Sequence, residues 1–282
     1  MKPVRPNATR PPILDGKHHG APSIFRPENL LREARRQRGL PNQPVPRICL
    51  LDPDGDIVRA LRRDGRGEPF SGWACYHSDM LTFTLPGDAA AEPIGIVGCA
   101  VGAPYAVLVA EQMFASGCRL LISVTSAGRI AADLPDGACF VLIDRALRDE
   151  GTSYHYLPDH RSFVEADVSL ADSGFRALSS SGLSVLRGAT WTTDAPFRET
   201  AEAIAWAESQ GVLAVEMEAA ALYAFAQARA ASVLCLAHVT NRMAQVEGDF
   251  EKGEANGAHD ALRAVAAIVN AWRGQQVEGL RA

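Results

Sequence analysis

Gly211-Val212-Leu213-Ala214-Val215-Glu216-Met217-Glu218-Ala219-Ala220-Ala221-Leu222 reads as an apolar strand running straight into an Ala-rich helix, with two carboxylates at the join. A single acid at a helix N-terminus is ordinary, because the helix dipole favours negative charge there. Two acids flanking Met217 do more. They form a short polar cup with an apolar floor, a shape and chemistry that suit the hydroxyls of a sugar.

Outward from this join the text alternates strand and helix. Apolar, strand-like runs are expected at 47–51, 73–77, 80–85, 93–99, 120–126, 138–143, 184–192, 212–216 and 232–240. Amphipathic helices are expected at 57–63, 104–116, 168–180, 198–209, 219–229 and 258–274. Apolar strands separated by helices imply a covered sheet. The expected fold class is α/β: one domain of three α/β/α layers around a central mixed, mostly parallel twisted sheet. The expected division is an N-terminal arm, 1–46, followed by a catalytic domain, 47–282. The arm holds nine of the chain's 17 prolines and several arginines, too little apolar pattern to build a core. Within it Pro27 to Arg36 has the proline start, early acid and late base of a short helix. At least partial packing of the arm on the body or on a neighbouring subunit is expected.

Composition narrows the function. With a net charge of −5 the chain is a poor candidate for nucleic-acid or anionic-membrane binding. No apolar run approaches the ~20 residues that span a bilayer. Lys2 and Arg5 have no apolar segment behind them, so a secretory signal is not expected. The six cysteines are scattered singly, outside CxxC pairs and metal-ligand spacings. They read as buried free thiols of a reducing, cytoplasmic compartment.

Further strand-to-helix joins carry small or polar residues. Gly98-Cys99-Ala100-Val101-Gly102-Ala103-Pro104 is a glycine-containing turn with a proline at the first helical turn. Its spacing is neither a dinucleotide fingerprint nor a P-loop. Ser123-Val124-Thr125-Ser126-Ala127-Gly128 is again a strand emerging into small polar residues. In open α/β sheets, ligands bind at the carboxyl ends of strands, so these ends border one expected pocket.

With these segments around it, Glu216-Met217-Glu218 resembles the ribose-binding signature of the nucleoside phosphorylase and nucleosidase superfamily. The resemblance runs from Arg47 to the C-terminus. It implies that Glu218 binds the ribose hydroxyls, that Met217 supports the sugar's apolar face, and that Glu216 assists or orients. It places Gly102 in the glycine-rich turn beside the sugar, and Thr125 and Ser126 on the acceptor side. Thr193-Asp194-Ala195-Pro196-Phe197-Arg198 falls where the family meets the base, so Phe197 and Arg198 are candidates for it. The competing reading is a helix start, with Asp194 as cap and Phe197 as staple. Thr240-Asn241-Arg242 ends the last strand. Purine-specific relatives carry an acid there, whereas Asn241 can donate a hydrogen bond but not a proton. Asn-Arg resembles the uridine-phosphorylase-like branch, in which Arg242 would stabilise charge on the departing base. Tyr154 and His155 resemble a rim segment of the pocket.

The resemblance breaks at the phosphate. Where phosphorolytic relatives carry Gly-Asp-Pro-Asp-Arg after the first strand, this chain has Leu51-Asp52-Pro53-Asp54-Gly55-Asp56. Ser123 stands where a second arginine would be. The segment expected to supply a third, from a neighbouring subunit, offers Tyr76 and His77. A phosphate dianion needs such charge-assisted donors, each worth about 1.5–3 kcal/mol. Hydrolytic relatives have an acid after this strand to activate water. Asp56, or Asp54, is the candidate general base, against the plain alternative of a cap for the following helix.

The expected activity is therefore cleavage of a nucleoside's N-glycosidic bond, with water favoured over phosphate. A true phosphate-dependent phosphorylase and a silent nucleoside-binding sensor are the alternatives. No metal or organic cofactor is implied, phosphate being at most a co-substrate. The expected partners are a small nucleoside and further copies of the chain, as a dimer or trimer of dimers, with the 73–76 region the place to look for the contact.

Overall fold

The computed structural model describes residues 11–85, 92–135, 137–158, 160–241 and 252–279. In chain order its helices are α1 (Pro27–Arg38), α2 (Asp56–Arg63), α3 (Ala103–Ala115), α4 (Val168–Ser179), α5 (Ala201–Ser209), α6 (Ala219–Arg229) and α7 (Ala258–Gly279). Its strands are β1 (Ile48–Asp52), β2 (Glu68–Pro69), β3 (Leu81–Phe83), β4 (Ile94–Gly98), β5 (Leu120–Arg129), β6 (Cys139–Asp149), β7 (Phe163–Glu165), β8 (Val185–Thr193), β9 (Val212–Glu216) and β10 (Ser232–Asn241).

The sheet is mixed. β4, β1, β5 and β10 run parallel in that order, as do β6, β8 and β9. Antiparallel ladders join β10 to β6 and β9 to β5, so these five strands close a ring. β1, β4, β3 and β2 extend from it as an open edge.

Helices cover both faces. Gly174 of α4 lies against the side chain of Leu234, while Tyr223 of α6 meets the thiol of Cys235, the next residue on β10. Successive strand residues point to opposite faces, so α4 and α6 sit on opposite sides. α7 packs beside α4 and α2, and α3 beside α6 and α1. The fully buried Leu50, Ile96, Ile122 and Leu234 fill the layers between. No helix among the described residues is long and apolar enough to cross a membrane.

Several local expectations are corrected. Residues 73–77 form a loop rather than a strand, buried at 73–75 and exposed at Tyr76 and His77, with the Trp73 indole donating to Ser78 Oγ at 3.0 Å. The helix expected from 198 begins at Ala201, because Thr200 caps it by accepting from the Ala203 amide. β7 is too short for its alternation to be read from sequence. Five cysteines are buried, but Cys99 is exposed, in a left-handed conformation (φ 59°) at the end of β4. The arm's helix ends at Gly39 (φ 64°) and buries Leu31 and Ala34 against Ala74.

Candidate active site

The sequence Val215-Glu216-Met217-Glu218 delivers both carboxylates to the carboxyl end of β9, and there their roles separate. Glu216 is consumed by structure. Its Oε1 accepts from the hydroxyls of Thr190 and Thr192 on β8, at 3.1 and 2.6 Å. Its Oε2 accepts from the amides of Glu218 and Ala219, both at 2.7 Å. These are among the orphan donors of the helix start, so Glu216 anchors α6 and aims Glu218.

Glu218 faces the other way. Its Oε1 accepts from the Gly102 amide at 2.7 Å, and its buried Oε2 has no hydrogen-bond partner among the described residues. Gly102 precedes α3 with φ 88°, a conformation that glycine adopts without steric cost. Burial raises both carboxyls, but four donors oppose the shift on Glu216. On Glu218 burial and the charge of Glu216 prevail over Gly102 and the nearby Thr125 hydroxyl, and its pKa rises to about 8. An acceptor oxygen left open in a buried carboxyl is what a sugar hydroxyl needs. Met217 lies half-buried between the two acids.

The second cluster gathers where β1, β5 and β10 end side by side. Here the three aspartates at and beyond the end of β1 take distinct parts. Asp52 holds the start of α2, accepting from the amides of its N-cap Gly55 and of Val58 at 3.1 and 2.9 Å. Burial pushes its pKa to about 7. Asp54 grips Ser126 twice, accepting from its hydroxyl at 2.8 Å and its amide at 2.7 Å. Asp56 accepts from Arg59 at 2.6 Å, Lys252 at 2.8 Å and Asn256 at 3.3 Å. Burial works to raise Asp56, but Lys252 and Arg59 outweigh it and hold its pKa below the ordinary range. Lys252 also reaches Asp54 at 3.2 Å. Thr125, Ser126 and His238 complete the walls of a cavity of about 20 Å³. That is room for about one water molecule.

His238 stacks on Phe140, ring centroids 4.4 Å apart, and burial lowers its pKa to about 4, so the ring is neutral. Gly257 packs against its edge with φ 75°, and a Cβ there would overlap the imidazole. Gly257→Ala is therefore expected to cost about 2–3 kcal/mol from clash and backbone strain together. A urea midpoint lowered accordingly would bear this out, and an unchanged one would mean that the 3₁₀ turn at Glu254–Gly257 yields freely.

The structure thus brings together Glu216, Glu218 and Gly102 in one cluster, and Asp56 and Ser126 in another, with Thr125 bordering both. Asn241 is buried at the end of β10. Arg242 lies outside the described residues. The base-side candidates are not gathered in. Phe197 is 99% exposed and Arg198 is exposed, so neither staples the helix nor lines the cavity. Asp194 instead accepts from the Gly151 amide. His77 is exposed, its carbonyl accepting from Tyr105 at 2.6 Å. Tyr154 and His155 meet the arm, through His19 and Lys17. Sequence reading missed Lys252 and Asn256. A lone lysine in a polar stretch carries no signal that pairs it with an acid 196 positions earlier. A larger cavity of about 1390 Å³ lies between the arm, α3 and α6, and the strand-end carboxylates do not line it.

Comparison with known proteins gives a consistent family. The model of the phosphorylase superfamily matches residues 47–271. The purine nucleoside phosphorylase DeoD-type of Shewanella denitrificans is 28% identical over 166 residues, covering 58% of this chain and 69% of that protein. Its counterpart from Bacillus cereus (strain B4264) is 27% identical over 172 residues, covering 60% and 72%. The crystal structure of uridine phosphorylase from Vibrio fischeri ES114 superposes with a TM-score of 0.65 at 19% identity, covering 79% of this chain and 91% of that one. That likeness shows the fold alone.

Proposed function

The chain belongs to the phosphorylase superfamily, and from that premise we propose that it cleaves the N-glycosidic bond of a nucleoside, with water rather than phosphate as acceptor. The observation that carries the choice is the strand-end cavity. Among the described residues lining it, three carboxylates face one cation, and its volume of about 20 Å³ suits one water. The ammonium of Lys252 is engaged by Asp54 and Asp56. Among the described residues, a phosphate dianion entering there would meet carboxylates and no uncommitted arginine.

In this reading Glu218 accepts a ribose hydroxyl, and the positive charge developing on the sugar favours its ionised form, which stabilises the oxocarbenium-like transition state. Met217 lies against the sugar. Asp56, tied to Arg59, Lys252 and Asn256, anchors the wall, and Asp54 takes the water's proton. The Oδ2 of Asp54 carries the Ser126 amide and keeps an open lone pair. The C1′–oxygen bond forms as the C1′–nitrogen bond breaks, and its electron pair leaves with the base. The proton taken from water returns to the base through solvent. The sum is one nucleoside and one water giving one free sugar and one free base. Asn241 and Arg242 would attend the departing base, with Phe197 and Arg198 joining only if the loop or a second copy of the chain turns them inward. The chemistry calls for this chain's side chains and water alone. Assembly into a homo-oligomer belongs to the same proposal.

The relatives' names favour phosphate as acceptor. Asn241 in place of an acid favours a sensor that binds nucleoside without cleaving it. Chromatography of a purine and pyrimidine nucleoside panel in phosphate-free buffer separates these readings. Catalytic release of free base is the expected result. Stoichiometric binding with no release would overturn the enzyme reading.

A further inference from the structure

Lys252 stands out because it is nearly buried, 12% exposed, yet its ammonium points into the acceptor cavity rather than to solvent. It spans the two acids there, 3.2 Å from Asp54 Oδ1 and 2.8 Å from Asp56 Oδ2. The opposite oxygen of Asp56 is held by Arg59 and Asn256, and the opposite oxygen of Asp54 by the Ser126 amide. Each carboxylate is thus clamped from two sides, with Lys252 as the shared member.

We propose that Lys252 is a positioning residue for the acceptor: it fixes Asp54 against the single water and fills, from within the chain, the place of a phosphate-binding cation. The inference rests on the hydrolytic reading above. Without the ammonium, Asp54 and Asp56 would repel each other across the cavity, and the Asp54 carboxylate would swing on its Ser126 contacts. A misplacement of about 1 Å at such a point costs on the order of 10²-fold in rate. The groups that face Asp54 and Asp56 are Asp52 and Arg59 from the β1–α2 segment, Ser126 from β5, His238 from β10, Lys252 and Asn256 from the chain entering α7, and Glu218 more remotely. Removing Lys252 leaves Arg59 as the only cation among these and takes away a group that holds Asp56 ionised.

The test is a Lys252→Met and Lys252→Arg pair, with Lys252→Ala assayed in added ethylammonium. For Lys252→Met, kcat is expected to fall by about 10²-fold with KM for the nucleoside within about twofold. The acid limb of its kcat/KM profile is expected to move to higher pH, and Lys252→Arg is expected to recover most of the rate. Lys252→Ala should regain activity saturably with the amine. Overturning results are a Lys252→Met enzyme with unchanged kcat and acid limb, or a Lys252→Ala protein that binds nucleoside normally by calorimetry but gains nothing from the amine. A wild type that needs phosphate overturns the hydrolytic reading and this inference together. A hydrolytic wild type with an indifferent Lys252 overturns only the inference.

Discussion

Glu218→Gln is expected to abolish useful turnover while making the protein more stable, by a margin that grows with pH. The carboxyl is 1% exposed, and its folded pKa of about 8 lies above the ordinary 4.5 because burial and Glu216 disfavour its charge. Between these two values the folded chain keeps a proton that the unfolded chain has released. Stability therefore falls as pH rises through that window. Glutamine carries no charge and escapes this penalty, while its amide can still accept from Gly102. The cost of an unmatched amide N–H, about 1–2 kcal/mol, subtracts from the gain. The net expectation is a gain on the order of 1–3 kcal/mol at pH 8 and none at pH 5. Melting points of the two proteins at both pH values measure it. Ribose recognition moves the other way, because glutamine cannot ionise to meet the positive charge that develops on the sugar. A fall in kcat/KM of about 10²–10³-fold is expected. A variant less stable than wild type at pH 8, or fully active, would contradict the assignment of Glu218 as the strained ribose ligand.

Glu216→Ala is expected to show the reverse pattern, a large stability loss with activity falling as a consequence. It removes an acceptor shared by Thr190, Thr192 and the amides of Glu218 and Ala219, all buried. Leaving buried donors unmatched in this way costs about 3–5 kcal/mol. In a domain of this size that is a fall of roughly 10 °C in Tm. Because the Glu218 amide is one of the four donors, KM should also rise while the protein remains folded. A Tm within a degree or two of wild type would mean that the helix start finds other acceptors, and the division of labour between the two glutamates would fall.

The join at 211–222 is legible because a period change and two charges coincide there. Strand ends were legible for the same reason: apolar runs stop at small polar residues. What escaped was partner choice. Periodicity reports that Asp52, Asp54 and Asp56 lie at a strand end, but not that Asp52 holds the first turn of α2 while the other two face Lys252. Nor does alternation separate a half-buried loop from a strand, as at 73–77, where Trp73 is buried and its indole bonds Ser78. The ring closure of β9 onto β5 depends on antiparallel pairing between distant segments, which no local pattern encodes. Phe197 looked like a stacking residue by type, and it stands in solvent.

The central claim, water as acceptor, is tested most directly by the initial rate of base release as phosphate is raised from none to millimolar, with the sugar product identified at each point. The expected result is a rate indifferent to phosphate and free ribose throughout. A rate that vanishes without phosphate, with ribose 1-phosphate as product, would contradict it.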